Sequence, residues 1–311
     1  MSNNKTATSL NTYIQTVYPE AEVKVFSRFP NGLVSQVYKV DILNPSNTIV
    51  VKLADTKRAP QIEKSNQINK YLHSYGIPVP LVMASFKTNN HIVTISECSP
   101  GEVATTAYKQ ADKQVKKTIL SDSGLRLGQI HGLKAPDFWV HHRHEIKSRE
   151  EWIKWTNLRI GKYLKFSQEH LKDYYHIIKN ELSIFQMLLG GTEIDFVPMH
   201  WDYNMSNFNV YDNGYISGIF DFDNAMKGHS LADIGIALQW FESEFNNSKA
   251  FRYFLDGYKN NISEEEAKLI KGYCLLHLLA TTRSVWDRQE SLGWIIDRNK
   301  RILNNFDQLS V

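Results

Sequence analysis

One segment constrains this 311-residue chain more than any other. It reads VPMHWDYNMSNFNVYDNGYISGIFDFDNA and runs from Val197 to Ala225. Within it stand His200, Asp202, Asn207, Asp221 and Asp223, flanked by apolar residues that favour burial. Burying charge is costly unless a partner compensates. Asp202 and Asn207 lie five positions apart in a short loop after an apolar strand end, so one loop can turn both side chains into one pocket. Asn213-Gly214 is a strong hairpin signal, and Asp221 follows the next strand, YISGIF. A hairpin there returns Asp221 towards Asn207. Two carboxylates and an amide oxygen form a hard donor set of the kind Mg²⁺ takes, with water and phosphate completing its shell.

The rest of the chain can support a folded site of this sort. Hydrophobic residues make up 42 % and aromatic residues 12 %, enough for a packed core. The formal charge of +3 gives no reason to expect a nucleic-acid surface. Cys98 and Cys274 are the only cysteines, which argues against a disulfide framework and fits a reducing cytoplasm. The start, MSNNKTATSLNTYIQ, is polar and lacks an apolar signal core, and no run of eighteen apolar residues predicts a membrane span.

Patterning divides the chain. Residues 8–18 read as a short amphipathic helix. EVKVFSRF, QVYKVDIL and TIVVKLA read as strands. APQIEKSNQINKYLHSYG reads as a helix with Ile62, Ile68, Tyr71 and Leu72 on a partial apolar stripe and Gly76 as its stop. PLVMASFKT and HIVTISEC form a further hairpin across Asn89-Asn90. From Ala111 to Phe185, and again over 230–309, the apolar spacing is helical. Strands followed by helices predict an α+β fold in two parts, residues 1–97 and 98–311.

At His200-Trp201-Asp202-Tyr203-Asn204-Met205-Ser206-Asn207 and Asp221-Phe222-Asp223 the sequence resembles the aminoglycoside phosphotransferase family. These are small-molecule relatives of the protein kinases, with an H-G-D-x-x-x-x-N loop followed by I-D-[FW]-[DEG]. The resemblance implies a two-lobed protein-kinase-like fold, with an antiparallel-sheet N-lobe, a mainly helical C-lobe and the nucleotide in the cleft. It implies transfer of the γ-phosphoryl group of ATP, or GTP, to a small-molecule hydroxyl. Asp202 would then be catalytic, and Asn207 and Asp221 would hold Mg²⁺. Lys52, on the strand TIVVKLA, resembles the lysine of the V-A-I-K strand. Gly32 and Ser35, in FPNGLVSQVYKV, resemble the loop that covers the phosphates. Glu63, the one acid on the following helix, is the expected partner of Lys52, although the family spacing counted back from Gly76 falls on Ser65. In VTISECSPGE the Ser96 carbonyl and the Cys98 N–H would meet the adenine edge. His131, in LGQIHGL, would be structural, and Asp233, in LADIG, would accept hydrogen bonds from the catalytic-loop backbone.

The departures are Trp201 where glycine is usual, Asn204 where a basic residue is common, and the Glu63 offset. They motivate a rival reading, a nucleotide-binding protein without transferase activity. A protein kinase is disfavoured, because no A-P-E segment follows Asp221. A zinc site in HHRHE (141–145) is disfavoured, because its histidines lack i, i+4 spacing. For the acceptor, the family points to antibiotics such as aminoglycosides or macrolides, with choline, thiamine, homoserine or ketosamines as metabolite alternatives. Glu242, Glu244, Asp256, Asp287 and Asp297 would suit a cationic acceptor, but Lys249, Arg252, Lys259, Arg283 and Arg288 are interspersed with them. Trp240, Phe241, Phe245 and Trp286 would suit an apolar one.

Overall fold

The computed structural model describes residues 2–29, 35–140, 145–259, 261–288 and 293–309. They fall into two compact units, Met1–Gly101 with Ser217–Asp223, and Glu102–Ile216 with Asn224–Val311.

The first unit begins with α1 (Ser2–Ile14), which starts earlier and ends sooner than residues 8–18. Five antiparallel strands follow around one helix: β1 (Glu22–Arg28), β2 (Gln36–Leu43), β3 (Asn47–Asp55), α2 (Ala59–Ser74), β4 (Val82–Lys87) and β5 (His91–Glu97). Their order in the sheet is β1-β2-β3-β5-β4. Side chains alternate across a strand, and β3 follows that rule. Ile49, Val51 and Leu53 enter the core that Leu10 and Ile14 of α1 cover. Lys52, at the opposite parity, and Ala54 take the other face, where Ala54 packs with Ile62 and Ile92. Asn66 of α2 ties the helix to that face, donating to Ser85 Oγ at 2.9 Å and Thr94 Oγ1 at 3.3 Å. Gly76 follows α2 with φ +73°, a conformation that costs glycine little, and this ends the helix where the sequence predicts.

The second unit holds β6 (Glu102–Val103), α3 (Ala104–Gln110), α4 (Lys113–His131), α5 (Arg149–His170), α6 (Tyr175–Gly191), β7 (Phe196–Met199) and β8 (Phe208–Val210). In β9 (Ile216–Ile219) the chain passes into the first unit. It returns with β10 (Met226–His229), α7 (Ser230–Phe245), α8 (Ser248–Tyr258), α9 (Glu264–Arg288) and α10 (Gly293–Asn304). Asp112 caps α4 by accepting from the Val115 N–H, and Ser148 caps α5 by accepting from the Glu151 N–H. β7 pairs with β10, and β6 with β8. Helices α4 and α8 touch backbone to backbone: a Cβ on Gly124 would stand 1.9 Å from the Phe254 carbonyl oxygen, and one on Gly257 1.9 Å from that of Ser121. Tyr203, in the segment after β7, reaches both helices of this crossing, hydrogen-bonding Ser123 of α4 and lying against Phe254 of α8.

Among the described residues no helix is long and apolar enough to cross a membrane. Both cysteines are free, Cys274 buried and Cys98 half-buried.

Candidate active site

The first unit gathers cations around one buried carboxylate. Asp223 is 3 % exposed. Lys52 Nζ donates to its Oδ1 at 3.1 Å and its Oδ2 at 3.0 Å, and Arg58 donates to Oδ2 at 2.9 Å. Lys64 Nζ donates to the Asp223 carbonyl at 3.0 Å. Burial opposes the Asp223 charge, but Lys52, Arg58 and the Ser65 hydroxyl outweigh it and hold the carboxyl below the usual range. Burial likewise disfavours the Lys52 ammonium, and Asp223 and Asp221 outweigh that, leaving its pKa raised. Lys64 is the reverse case: burial lowers it to about 8 despite Asp223. Asp221 is the exposed member. Its Oδ1 lies 3.6 Å from Lys52 Nζ with its side chain 48 % accessible, and its backbone is left-handed at φ 64°.

The expected residues of this unit divide accordingly. Lys52 and Asp221 come together. Ser35 is buried, and its Oγ accepts from Arg58 at 3.0 Å, which links it to the same cluster. Gly32 lies outside the described residues. Ser96 is the penultimate residue of β5, in register with Val50 and Val82, and Cys98 follows just past the strand end. Glu63 is exposed on α2 and is not among the ion-pair partners of Lys52. The buried face of α2 carries Ile62, Lys64, Ser65, Asn66 and Ile68 instead. Helical geometry explains the difference: Ile62, Ser65 and Ile68 recur at three-residue steps on one side, and Glu63 is turned about 100° from Ile62. That count was available in the sequence. The parts played by Arg58 and Lys64 had no such local signal.

The second unit builds the loop after β7. Asp233, fully buried at the start of α7, accepts the His200 N–H at 2.7 Å and the Trp201 N–H at 2.8 Å. His131 Nε2 stands 3.2 Å from the same carboxylate, and His131 Nδ1 is 2.8 Å from the Tyr258 hydroxyl. A carboxylate only accepts, so Nε2 carries the proton and Nδ1 accepts from Tyr258. The loop then closes on itself. Asp202 N–H donates to His200 Nδ1 at 3.3 Å. Asn204 Nδ2 donates to Asp202 Oδ1 at 2.9 Å, and Asn207 Nδ2 donates to the Asp202 carbonyl at 2.9 Å. Tyr203 is buried and donates to the Ser123 carbonyl of α4 at 2.8 Å.

These bonds orient the two key side chains. Asn204 holds one oxygen of Asp202, and the Asn207 amide nitrogen is engaged, which leaves Asn207 Oδ1 as the group open to a ligand. Among the described residues no cluster of three His, Cys, Asp or Glu would hold a metal alone. His141, His142 and His144 lie outside the described residues.

Trp201 occupies the glycine position of the loop and adopts the conformation glycine favours, φ 64°. For another residue that costs roughly 1–2 kcal/mol. Its ring is placed among Trp155, 5.5 Å away between centroids, Trp152 at 6.0 Å and the Arg159 guanidinium at 5.3 Å.

The model of the phosphotransferase enzyme family, APH, matches residues 25–267. No curated protein matches significantly. Among solved structures, a GDP complex of a point mutant of aminoglycoside 2'-phosphotransferase-IIIa is 12 % identical with a TM-score of 0.72, covering 98 % of this chain and 100 % of that one. Aminoglycoside phosphotransferase APH(4)-Ia is 15 % identical with a TM-score of 0.67, covering 96 % and 98 %. A Haemophilus somnus 129PT protein assigned as a fructosamine-3-kinase is 17 % identical with a TM-score of 0.64, covering 96 % of each chain. The fold is thus the kinase-like α+β fold of these enzymes, and with a family model spanning most of its length the chain belongs to the phosphotransferase enzyme family.

Proposed function

We propose that this protein transfers the γ-phosphoryl group of ATP or GTP to a hydroxyl of a small molecule. The observation that carries the reading is the loop of 200–207. Its backbone is fixed by Asp233, and Asn204 orients the Asp202 carboxylate. In this reading Asp202 accepts or orients the acceptor hydroxyl proton. Lys52 neutralises phosphate charge, with Ser35 and Gly32 in the covering loop and the backbone of Ser96 and Cys98 meeting the base. Asn207 Oδ1 and the exposed Asp221 carboxylate are hard oxygen donors and would hold Mg²⁺. The chemistry that ion supplies when bound is charge neutralisation on the β- and γ-phosphates. GDP- and ADP-bound relatives support the nucleotide.

Relatives crystallised with kanamycin and with hygromycin B support an antibiotic acceptor, and with it a resistance role. The fructosamine-kinase relative supports a metabolite acceptor.

The test is Asp202→Ala. Phosphoryl transfer, read as ADP release with a hydroxyl-compound panel, should fall by about 10²–10⁴. Nucleotide affinity should stay near wild type. Undiminished turnover would remove Asp202 from the chemistry. Nucleotide-induced thermal stabilisation with no phosphorylated product from wild type would favour a binding protein over an enzyme.

A further inference from the structure

Arg159, on α5, has its guanidinium carbon 4.6 Å from the Trp155 ring centroid, 5.3 Å from Trp201 and 5.7 Å from Tyr163. Aromatic faces attract a cation, and Arg is the cation that stacks best. They offer nothing to the five N–H donors at the guanidinium edge, which need oxygen acceptors. Among the described residues Arg159 forms no ion pair and no hydrogen bond. It is a half-buried positive charge whose donors meet no acceptor among the described residues, held against the residue next to Asp202.

Tyr273 and His277 of α9, the groups on which this charge acts, carry no negative charge to offset it. His277 of α9 is kept neutral, its pKa lowered to about 3 by burial and then by Arg159 itself. Of the carboxylates expected to receive a cationic acceptor, two are paired with cations and one is buried. Glu244 is bound by Lys109 and by Arg298, the latter at 2.7 Å. Asp287 pairs with Arg283 at 3.2 Å. Glu242 is buried, and burial holds its carboxyl above the ordinary range. Trp240 Nε1 is a further buried donor without a partner.

We infer that Arg159 determines acceptor specificity, binding a carboxylate or phosphate group of the acceptor while Trp155 and Trp201 flank it. This rests on the phosphotransferase reading and narrows it to hydroxyl compounds bearing an anionic group. Charge-assisted bidentate pairing is the strongest interaction a guanidinium makes with such a group. A polycation meets an unneutralised positive charge at the same place. The left-handed strain at Trp201 gains a purpose here, since a glycine would remove one wall of the cation's aromatic clamp.

Four probes that share a hexose ring separate the possibilities: glucuronate, glucose 6-phosphate, glucose and kanamycin. Binding is followed calorimetrically with Mg²⁺ and ADP present, on wild type, Arg159→Gln and Arg159→Lys. Glucuronate or glucose 6-phosphate should bind at least tenfold tighter than glucose, and which of the two binds better identifies the anionic group. Arg159→Gln should lose that advantage and Arg159→Lys should keep part of it. Kanamycin should bind more weakly than glucose. The inference is overturned if neither anion surpasses glucose on wild type, if kanamycin binds best, or if Arg159→Gln binds the anions as wild type does. ADP affinity in the same samples separates the failures. Loss of ADP binding in wild type would sink the phosphotransferase reading itself. Intact ADP binding without a preference for anions would sink only the role of Arg159, and ADP binding by each variant certifies its folding.

Discussion

Lys52 Nζ lies 3.0 Å from Asp223 Oδ2, so the strand lysine is held by a carboxylate 171 residues away in sequence and not by the acid on its neighbouring helix. Asp223 is shared with Arg58 and is nearly inaccessible to solvent. Removing one partner of a buried ionic cluster strands the others, which typically costs about 3–5 kcal/mol. Asp223→Asn should therefore shift the urea midpoint strongly towards lower denaturant. Glu63→Gln should leave both the midpoint and the affinity for ATP unchanged. Weaker ATP binding in Glu63→Gln would return that residue to the site.

Asp233 accepts two loop N–H groups through separate oxygens, and His131 stands against one of them. Asparagine keeps one acceptor and sets an NH₂ against a donor. Asp233→Asn should cost about 1–3 kcal/mol in stability. It should also lower kcat while nucleotide affinity is retained, since the residue shapes the loop and does not touch the nucleotide. Equal kcat in variant and wild type would refute that assignment.

Trp201 allows the backbone to be tested apart from the side chain. Glycine normally destabilises a folded chain relative to alanine. At φ 64° the order should invert, because the left-handed conformation penalises any residue with a Cβ. Trp201→Gly should be more stable than Trp201→Ala by about 1 kcal/mol, and chemical denaturation of the pair checks it. Alanine equal to or better than glycine would mean that the loop relaxes out of this conformation.

Acid should destabilise the protein before its carboxylates titrate. His229 is buried and accepts at Nδ1 from Tyr273, whose hydroxyl is 3.0 Å away and itself accepts from Trp152 Nε1 at 2.8 Å. Burial lowers His229 to about 4 and His277 to about 3. Unfolded, each titrates near 6.5. The unfolded state therefore binds more protons below that pH, and stability declines as pH falls through 6.5 towards the folded values. For His229 the full loss is on the order of 3 kcal/mol. Denaturant midpoints between pH 7 and 4.5 should slope downward, and His229→Gln should flatten the slope. A profile level from pH 7 to 4.5 would count against both histidines being buried neutral.

Local pattern was enough for much of this protein. Alternation put Lys52 on the face of β3 opposite Ile49 and Val51, because successive side chains in a strand must point to opposite sides. Gly76 ended α2, and the spacing of Asp202 and Asn207 marked a loop that folds back on itself. These are short-range facts set by the geometry of a few consecutive residues. The tertiary structure alone decided the pairings. Arg58, Lys64 and Ser65 converge on Asp223 across more than 150 residues of chain, and no periodicity reports such a meeting. The same holds for Arg159 between Trp155 and Trp201, and for Asp233 beneath the His200 and Trp201 amides. A buried charge is tolerated only where the whole fold delivers its partners, so the sequence could name the charged residues and only the packed chain could say which of them meet.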